Sequence, residues 1–157
     1  MKIVRTNNPD LIAKFMTQPK LYERMREDTS PNPASWRPNL LLSTWLMVYE
    51  EHENEVKVVG IFAFVPETEL IYRFHPAIAP EFWGKPQSLA AGKLAVNWLW
   101  KHTNAKKIVG KVPIIYKDLL KWGQRLGFAR EGIQRRSFLR NGELLDQYYM
   151  GISKEDM

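Results

Sequence analysis

Cysteine is absent from this chain of 157 residues. Thiol nucleophiles, thiolate zinc sites and disulfide frameworks are therefore excluded, and the composition suits a reducing compartment. A domain of this length needs no such staple, because it buries roughly 70% of the surface its unfolded chain exposes. Histidine is scarce: His52, His75 and His102 stand far apart, which argues against a metal site. Apolar runs are short as well. The longest, near Leu40–Tyr49 and Val56–Val65, reach about half of the ~20 residues a membrane-spanning helix requires. The start, Met1-Lys2-Ile3-Val4-Arg5, passes directly into Thr6-Asn7-Asn8-Pro9-Asp10 without an apolar stretch and cleavage site, so no signal peptide is expected. These absences lead to the expectation of a soluble, cytoplasmic protein.

What is present is the composition of one folded domain over residues 1–157, with 45% hydrophobic and 25% charged residues. The 23 Lys and Arg outnumber the 17 Asp and Glu, a net charge of +6. The excess is uneven. Residues 101–140 hold eleven basic side chains against only Asp118 and Glu131, while the rest of the chain is net acidic. An anionic partner at this stretch is one implication: nucleic acid, an acidic protein or a phosphate-rich cofactor. A solvated basic face that aids solubility is the other.

Periodicity gives the elements. Lys2–Arg5 reads as a short strand, and Asn8-Pro9 as an N-cap with proline at the first helical position. Pro19 breaks or kinks that helix, and Leu21, Tyr22 and Met25 continue its apolar stripe. Thr29–Pro38, with three prolines, is a long loop. A meander follows: Asn39–Glu50, Val56–Val65 and Leu70–Ile78, the second strand apolar on both faces and so central. From Ser88 the period becomes helical, with Ala91, Leu94, Ala95, Trp98, Leu99 and His102 on one face. Lys107–Ile114 is a strand, and a helix from about Tyr116 ends at Gly127, where a left-handed C-cap belongs. Asn141-Gly142 then joins two strands of a C-terminal hairpin. The expectation is an α/β fold: a mixed, mostly antiparallel sheet of about six to seven strands with helices on both faces.

This order, together with Leu126-Gly127-Phe128-Ala129-Arg130-Glu131-Gly132, resembles the GNAT superfamily of N-acetyltransferases. Arg135/Arg136, Asn141-Gly142, Asp146 and Met150-Gly151 look like its ribosomal-protein-acetylating branch and short phage-borne relatives. The resemblance implies acetyl-CoA as cofactor, its pyrophosphate held by backbone N–H groups where a loop enters a helix N-terminus. The matching stretch is Trp83-Gly84-Lys85-Pro86-Gln87-Ser88. Gly84 and Lys85 fit the family pattern, and Ser88 can cap the helix. Trp83 replaces an Arg or Gln. Pro86 stands where a glycine N–H is usual, and one lost charge-assisted donor costs roughly 1.5–3 kcal/mol.

The resemblance also implies an amine deprotonated, a thiolate protonated, and a backbone N–H near Ala77–Ile78 opposite the developing oxyanion. The family's tyrosine acid falls on Gly123 and is missing; Tyr116 is the candidate in its place. His75, with a suitable ordinary pKa, is the candidate base, beside Glu67 and Glu69. Against these roles stand plainer ones: a structural histidine, a packed tyrosine, a solvated acidic turn. Trp83 and Trp36 are the tryptophans expected near the cleft. Two functions compete. One is transfer of acetyl from acetyl-CoA to a protein N-terminus, a lysine or a small amine. The other is a GNAT-fold binding or assembly factor, phage-encoded and acting in the virion or head assembly within the host cytoplasm, meeting its anionic partner through the basic stretch.

Overall fold

The computed structural model describes residues 1–157. Strand β1 (Lys2–Arg5) leads to α1 (Pro9–Met16), where the Asn8 carboxamide accepts the Asp10 and Leu11 N–H groups at 3.1 and 3.2 Å. Pro19 opens a separate helix, α2 (Pro19–Met25), because proline is tolerated at a first helical position but not inside one. The meander is β2 (Thr44–His52), β3 (Glu55–Pro66) and β4 (Ile71–Ile78). Then come α3 (Pro86–His102), β5 (Lys107–Pro113), α4 (Lys117–Leu126) and the hairpin β6 (Ala129–Arg140) and β7 (Glu143–Ser153). All seven strands form one sheet in the order β1-β2-β3-β4-β5-β7-β6. No helix is long and apolar enough to cross a membrane.

Two expected boundaries are corrected. The strand expected from Asn39 begins at Thr44, because the Asn39 carboxamide accepts the N–H groups of Leu41 and Leu42 and folds Leu40–Leu42 into a turn. The helix expected from Ser88 starts at Pro86, so Lys85 is its N-cap residue. Ser88 lies inside the first turn and does not cap; its hydroxyl donates to the Lys85 carbonyl at 2.8 Å. On α3 the buried face turns through Ala91, Ala95, Val96, Leu99 and Trp100, leaving His102 exposed and stacked on Trp98. The hairpin turn has φ of 51° at Asn141 and 78° at Gly142, the left-handed pair that matches strand twist.

The sheet is not continuous at its centre. β4 and β5 are the parallel pair, and they pair only through Ile71–Arg73 against Lys107–Val109. Past that point β4 stays with β3 as far as Ile78, and β5 stays with β7 as far as Pro113. The strands part. Ala79 N–H donates to the Val59 carbonyl at 2.9 Å. By alternation Ala77 and His75 also turn their main-chain groups toward β3, while Pro76 and Ile78 turn theirs toward the gap. Proline at 76 therefore loses no ladder bond, which explains its place inside a strand. Phe74 stacks on Phe62, Phe64, Trp122 and Phe128 at centroid distances of 5.9, 4.8, 6.5 and 5.8 Å, so its face of β4 meets α4. His75, one residue on, projects from the opposite face.

Helix α2 bridges the open end. The Tyr116 hydroxyl donates to the Arg24 carbonyl at 2.6 Å, and the Arg24 guanidinium pairs with Asp118 and lies 4.6 and 5.4 Å from the rings of Tyr116 and Trp83. The residues after α2 grip the hairpin. Asp28 accepts the Asn141 and Gly142 N–H groups at 2.9 and 2.8 Å, and Glu27 accepts that of Leu139 at 3.0 Å. Arg140 donates to the Glu23 and Arg26 carbonyls at 2.6 and 2.8 Å.

Candidate functional site

Two adjoining cavities of about 520 and 380 Å³ open at the parted strands, sharing Arg24, Met25, Pro76, Leu119 and Trp122 in their walls. Volumes in this range suit small-molecule ligands. The first cavity lies between the start of α3 and the side of α4. The second occupies the gap between β4 and β5 and reaches Phe138 and Gln147 on the hairpin.

The approach to α3 is built by a short turn over Pro80–Phe82 followed by Gly84 at φ 73°, a left-handed conformation that glycine adopts without strain. A side chain there would meet nothing within 4 Å, so the main chain is open on that side. Lys85 N–H is satisfied by the Phe82 carbonyl and Ser88 N–H by the Lys85 carbonyl, each at 3.1 Å. The N–H groups of Gly84 and Gln87 find no acceptor within the protein, and no side chain caps the helix. Pro86 sits at the first helical position, where an N–H would have no intrahelical partner in any case. Lys85, Lys121 and Arg125 contribute cations to the same wall. A 17-residue helix thus points a bare, positively polarised end at a cavity edged with cations.

Trp83 lines this cavity without filling it. Its indole N–H donates to the Ile78 carbonyl at 2.8 Å, which folds the ring back against the end of β4. Trp36, also expected near the cleft, instead stacks edge-on against Trp45 at 6.2 Å and lines neither cavity. Of the expected backbone pair, only Ile78 faces the gap with its N–H; Ala77 is buried and turned toward β3. Gln87 lies outside both linings; what it offers is an N–H without an acceptor in the first turn of α3, between the lining residues Pro86 and Ser88.

His75 and Tyr116 both line the second cavity. The His75 ring is open to that cavity, yet sits on its floor. Removal from bulk water, then the charges of Arg73 and Lys111, lower its pKa to about 4. As water enters the cavity the first cause weakens and the two cations remain. Its Nε2 accepts from Arg73 Nε at 3.2 Å, which puts the ring proton on Nδ1. Even at an imidazole's ordinary ~6.5, taking a proton from a lysine-like ammonium of ~10.4 costs about 5 kcal/mol, and the lowered pKa of His75 adds to that cost. The Tyr116 hydroxyl proton is engaged by the Arg24 carbonyl. Glu67 and Glu69 lie on the exposed β3–β4 turn, Glu67 at 3.8 Å from Arg73. Gly123 faces the second cavity, where an added Cβ would meet only Met150 Cε, at 3.9 Å.

Trp122 is among the site residues that sequence reading misses, with Arg24, Arg73 and Lys111. Trp122 borders both cavities, and its indole Nε1 is buried with no hydrogen-bond partner. In the sequence it reads only as an apolar position of α4, since spacing tells that a side chain faces inward but not whether its polar edge is met. No group of three or more metal-ligating side chains is gathered anywhere.

Solved structures share this architecture. Spermidine N-acetyltransferase from Vibrio cholerae, solved with CoA and spermine, superposes with a TM-score of 0.79 over 99% of this chain and 96% of its own, at 16% identity. Ribosomal-protein-S5-alanine acetyltransferase from Vibrio fischeri does so with a TM-score of 0.74 over 99% and 95%, at 17% identity. The chain has the GNAT fold. A GNAT-family acetyltransferase from Bacillus anthracis matches a smaller part, 72% of this chain and 66% of its own, with a TM-score of 0.60 and 18% identity. No protein-family model and no curated protein sequence matches the chain. In this GNAT fold the element order and the Leu126–Gly132 stretch carry the likeness read from the sequence, and the turn at Gly127, with φ of 113°, is its structural root.

Proposed function

We propose that this protein is an acetyl-CoA-dependent N-acetyltransferase that acts on a primary amine. The observation that carries this reading is the parting of β4 and β5 directly beside the uncapped start of α3. The groups present fit coenzyme A. Gly84 and Gln87 N–H, with Lys85, Lys121 and Arg125, suit a pyrophosphate and an adjacent phosphate. The orphaned indole N–H of Trp122 suits an amide carbonyl of the pantetheine arm, since a buried donor without a partner costs ~1–3 kcal/mol.

When bound, acetyl-CoA supplies a thioester whose carbonyl carbon the amine nitrogen attacks, so that the C–N bond forms as the C–S bond breaks. The chain's own part is chiefly to hold two reactants at contact distance, an effect worth up to ~7–11 kcal/mol. Ile78 N–H stands toward the gap as the donor for negative charge developing on the carbonyl oxygen, and Pro76 contributes none. The walls of Phe74, Phe128 and Met150 exclude water from the deepest part. His75, neutral and bonded to Arg73, acts in positioning, and Tyr116 holds α2 across the gap. Proton loss by the amine and proton gain by the thiolate then run through solvent at the mouth.

Thermal unfolding with coenzyme A tests this. Ligand at a hundred times its dissociation constant adds ~2.7 kcal/mol, a rise in Tm of about 5–10 °C at this size. No shift at millimolar coenzyme A refutes the proposal.

A further inference from the structure

The gap between β4 and β5 carries cations that the coenzyme does not account for. Arg24, Arg73 and Lys111 line it against one carboxylate, Glu27, which already accepts the Leu139 N–H. Arg24 is paired with Asp118. Arg73 and Lys111 are not comparably matched: Arg73 reaches Glu67 only at 3.8 Å, beyond hydrogen-bond distance, and Lys111 has no carboxylate within 4.0 Å. The two come from the two strands that part, one on each side of the opening. Lys111 stands opposite Tyr149 on β7, its ammonium 5.7 Å from that ring. The phosphates of coenzyme A are served in the other cavity by Lys85, Lys121 and Arg125, and the thioester end of the coenzyme is uncharged.

Resting on the acetyltransferase reading, we infer that the acceptor is a small amine that also carries an anionic group, a carboxylate or a phosphate, held between Arg73 and Lys111 with its nitrogen toward the gap. The planar guanidinium of Arg73 gives its Nε to His75 and reaches Glu67 with Nη1 only at 3.8 Å, so neither Nη group makes a hydrogen bond within the protein and both can turn to such an anion. Two cations lining one gap repel a polyamine and lower the pKa of any bound ammonium, which favours the neutral nucleophile. Arg73 and Lys111 also face His75, whose pKa is lowered first by removal from bulk water and then by these two charges. In the transfer the neutral amine forms the C–N bond as the C–S bond breaks, one proton leaves the nitrogen for water and one is taken up by the departing thiolate.

The test ranks kcat/KM for four amines after coenzyme A binding has been measured by calorimetry. O-phosphoethanolamine carries a phosphate, glycine a carboxylate, ethanolamine no anion, and spermidine only cations. The expected result is that one or both anionic amines exceed ethanolamine by about tenfold or more, with spermidine last. Which anion leads separates phosphate from carboxylate. Lys111→Glu, on an exposed side chain, is expected to invert the order while the coenzyme dissociation constant stays put. Independently of turnover, NMR titration of the His75 ring should move to higher pH on adding the preferred anionic amine with coenzyme A, and not with spermidine. If coenzyme A binds and spermidine leads, or none of the four is acetylated, or Lys111→Glu leaves the ranking as it was, the inference is overturned and the acetyltransferase reading survives. If coenzyme A does not bind, the reading itself fails.

Discussion

Gly123 leaves room at the cavity wall where a side chain fits, and it does so inside α4, where glycine is a poor helix former. Gly123→Ala should stabilise the fold by about 0.5–1 kcal/mol, read from urea denaturation. Gly123→Tyr places a hydroxyl at the gap and should raise kcat by about tenfold or more if thiolate protonation limits turnover; an unchanged kcat shows that it does not. Pro86 argues at the same scale. Pro86→Gly adds an N–H to those of Gly84 and Gln87, so coenzyme A should bind about tenfold tighter by calorimetry, less what is lost in helix preorganisation. His75 sets a pH dependence whose sign is fixed. Its folded pKa of about 4 lies below the 6.5 of the unfolded chain, so the unfolded state takes the proton first. Stability should fall as pH drops from about 6.5 to about 4, and His75→Gln should flatten that segment of the curve.

At the scale of elements, legibility followed locality. Asn8-Pro9, Pro19, Gly127 and Asn141-Gly142 act through their own backbone preferences, and each marks in the sequence the boundary it makes in the fold. Leu40–Leu42 misled because three apolar residues imitate a strand, while the decisive group is the Asn39 carboxamide that turns them aside. The early start of α3 is hidden for a related reason: in the sequence Pro86 shows the donor it lacks more plainly than the helix it begins. The gap itself has no local signal. It exists because the β4–β5 pairing stops after three residues, and a register that stops is a property of two strands and of what pulls each of them away. Trp122 and the Arg73–Lys111 pair were invisible for the same cause. Asp28 belongs to this scale as well. Two backbone N–H groups of the hairpin turn hold its carboxyl below the ordinary range, so its contribution is present above about pH 4 and is lost as pH falls through the lowered value. Asp28→Ala should expose the Asn141 and Gly142 amides to faster hydrogen exchange, with the core strands unaffected.

For the whole molecule, the basic stretch dissolves into separate duties. Lys111, Lys121 and Arg125 line the two cavities, Lys107 pairs with Glu131 at 2.9 Å, and Arg140 braces α2. The remainder, including Lys101, Arg135 and Arg136, stand exposed on different elements. A run of like charge in sequence is thus spread over α3, β5, α4 and the hairpin, and only three of its cations, Lys111, Lys121 and Arg125, line the cleft. Arg125→Ala, on the exposed side of α4, should weaken coenzyme A by about tenfold and lessen the salt dependence of its binding, with little change in Tm of the free protein.

The roof of the cleft is made from the first fifth of the chain and fastened by the last. Asp28 and Glu27 find their partners 112 to 114 residues later, at Leu139, Asn141 and Gly142. During synthesis, then, the clasp of Glu27 and Asp28 has no partner until Leu139–Gly142 have left the ribosome, and a nascent chain stalled before residue 139 would hold α2 only by its buried Leu21 and Tyr22 and by the contacts of Arg24 with Tyr116 and Asp118.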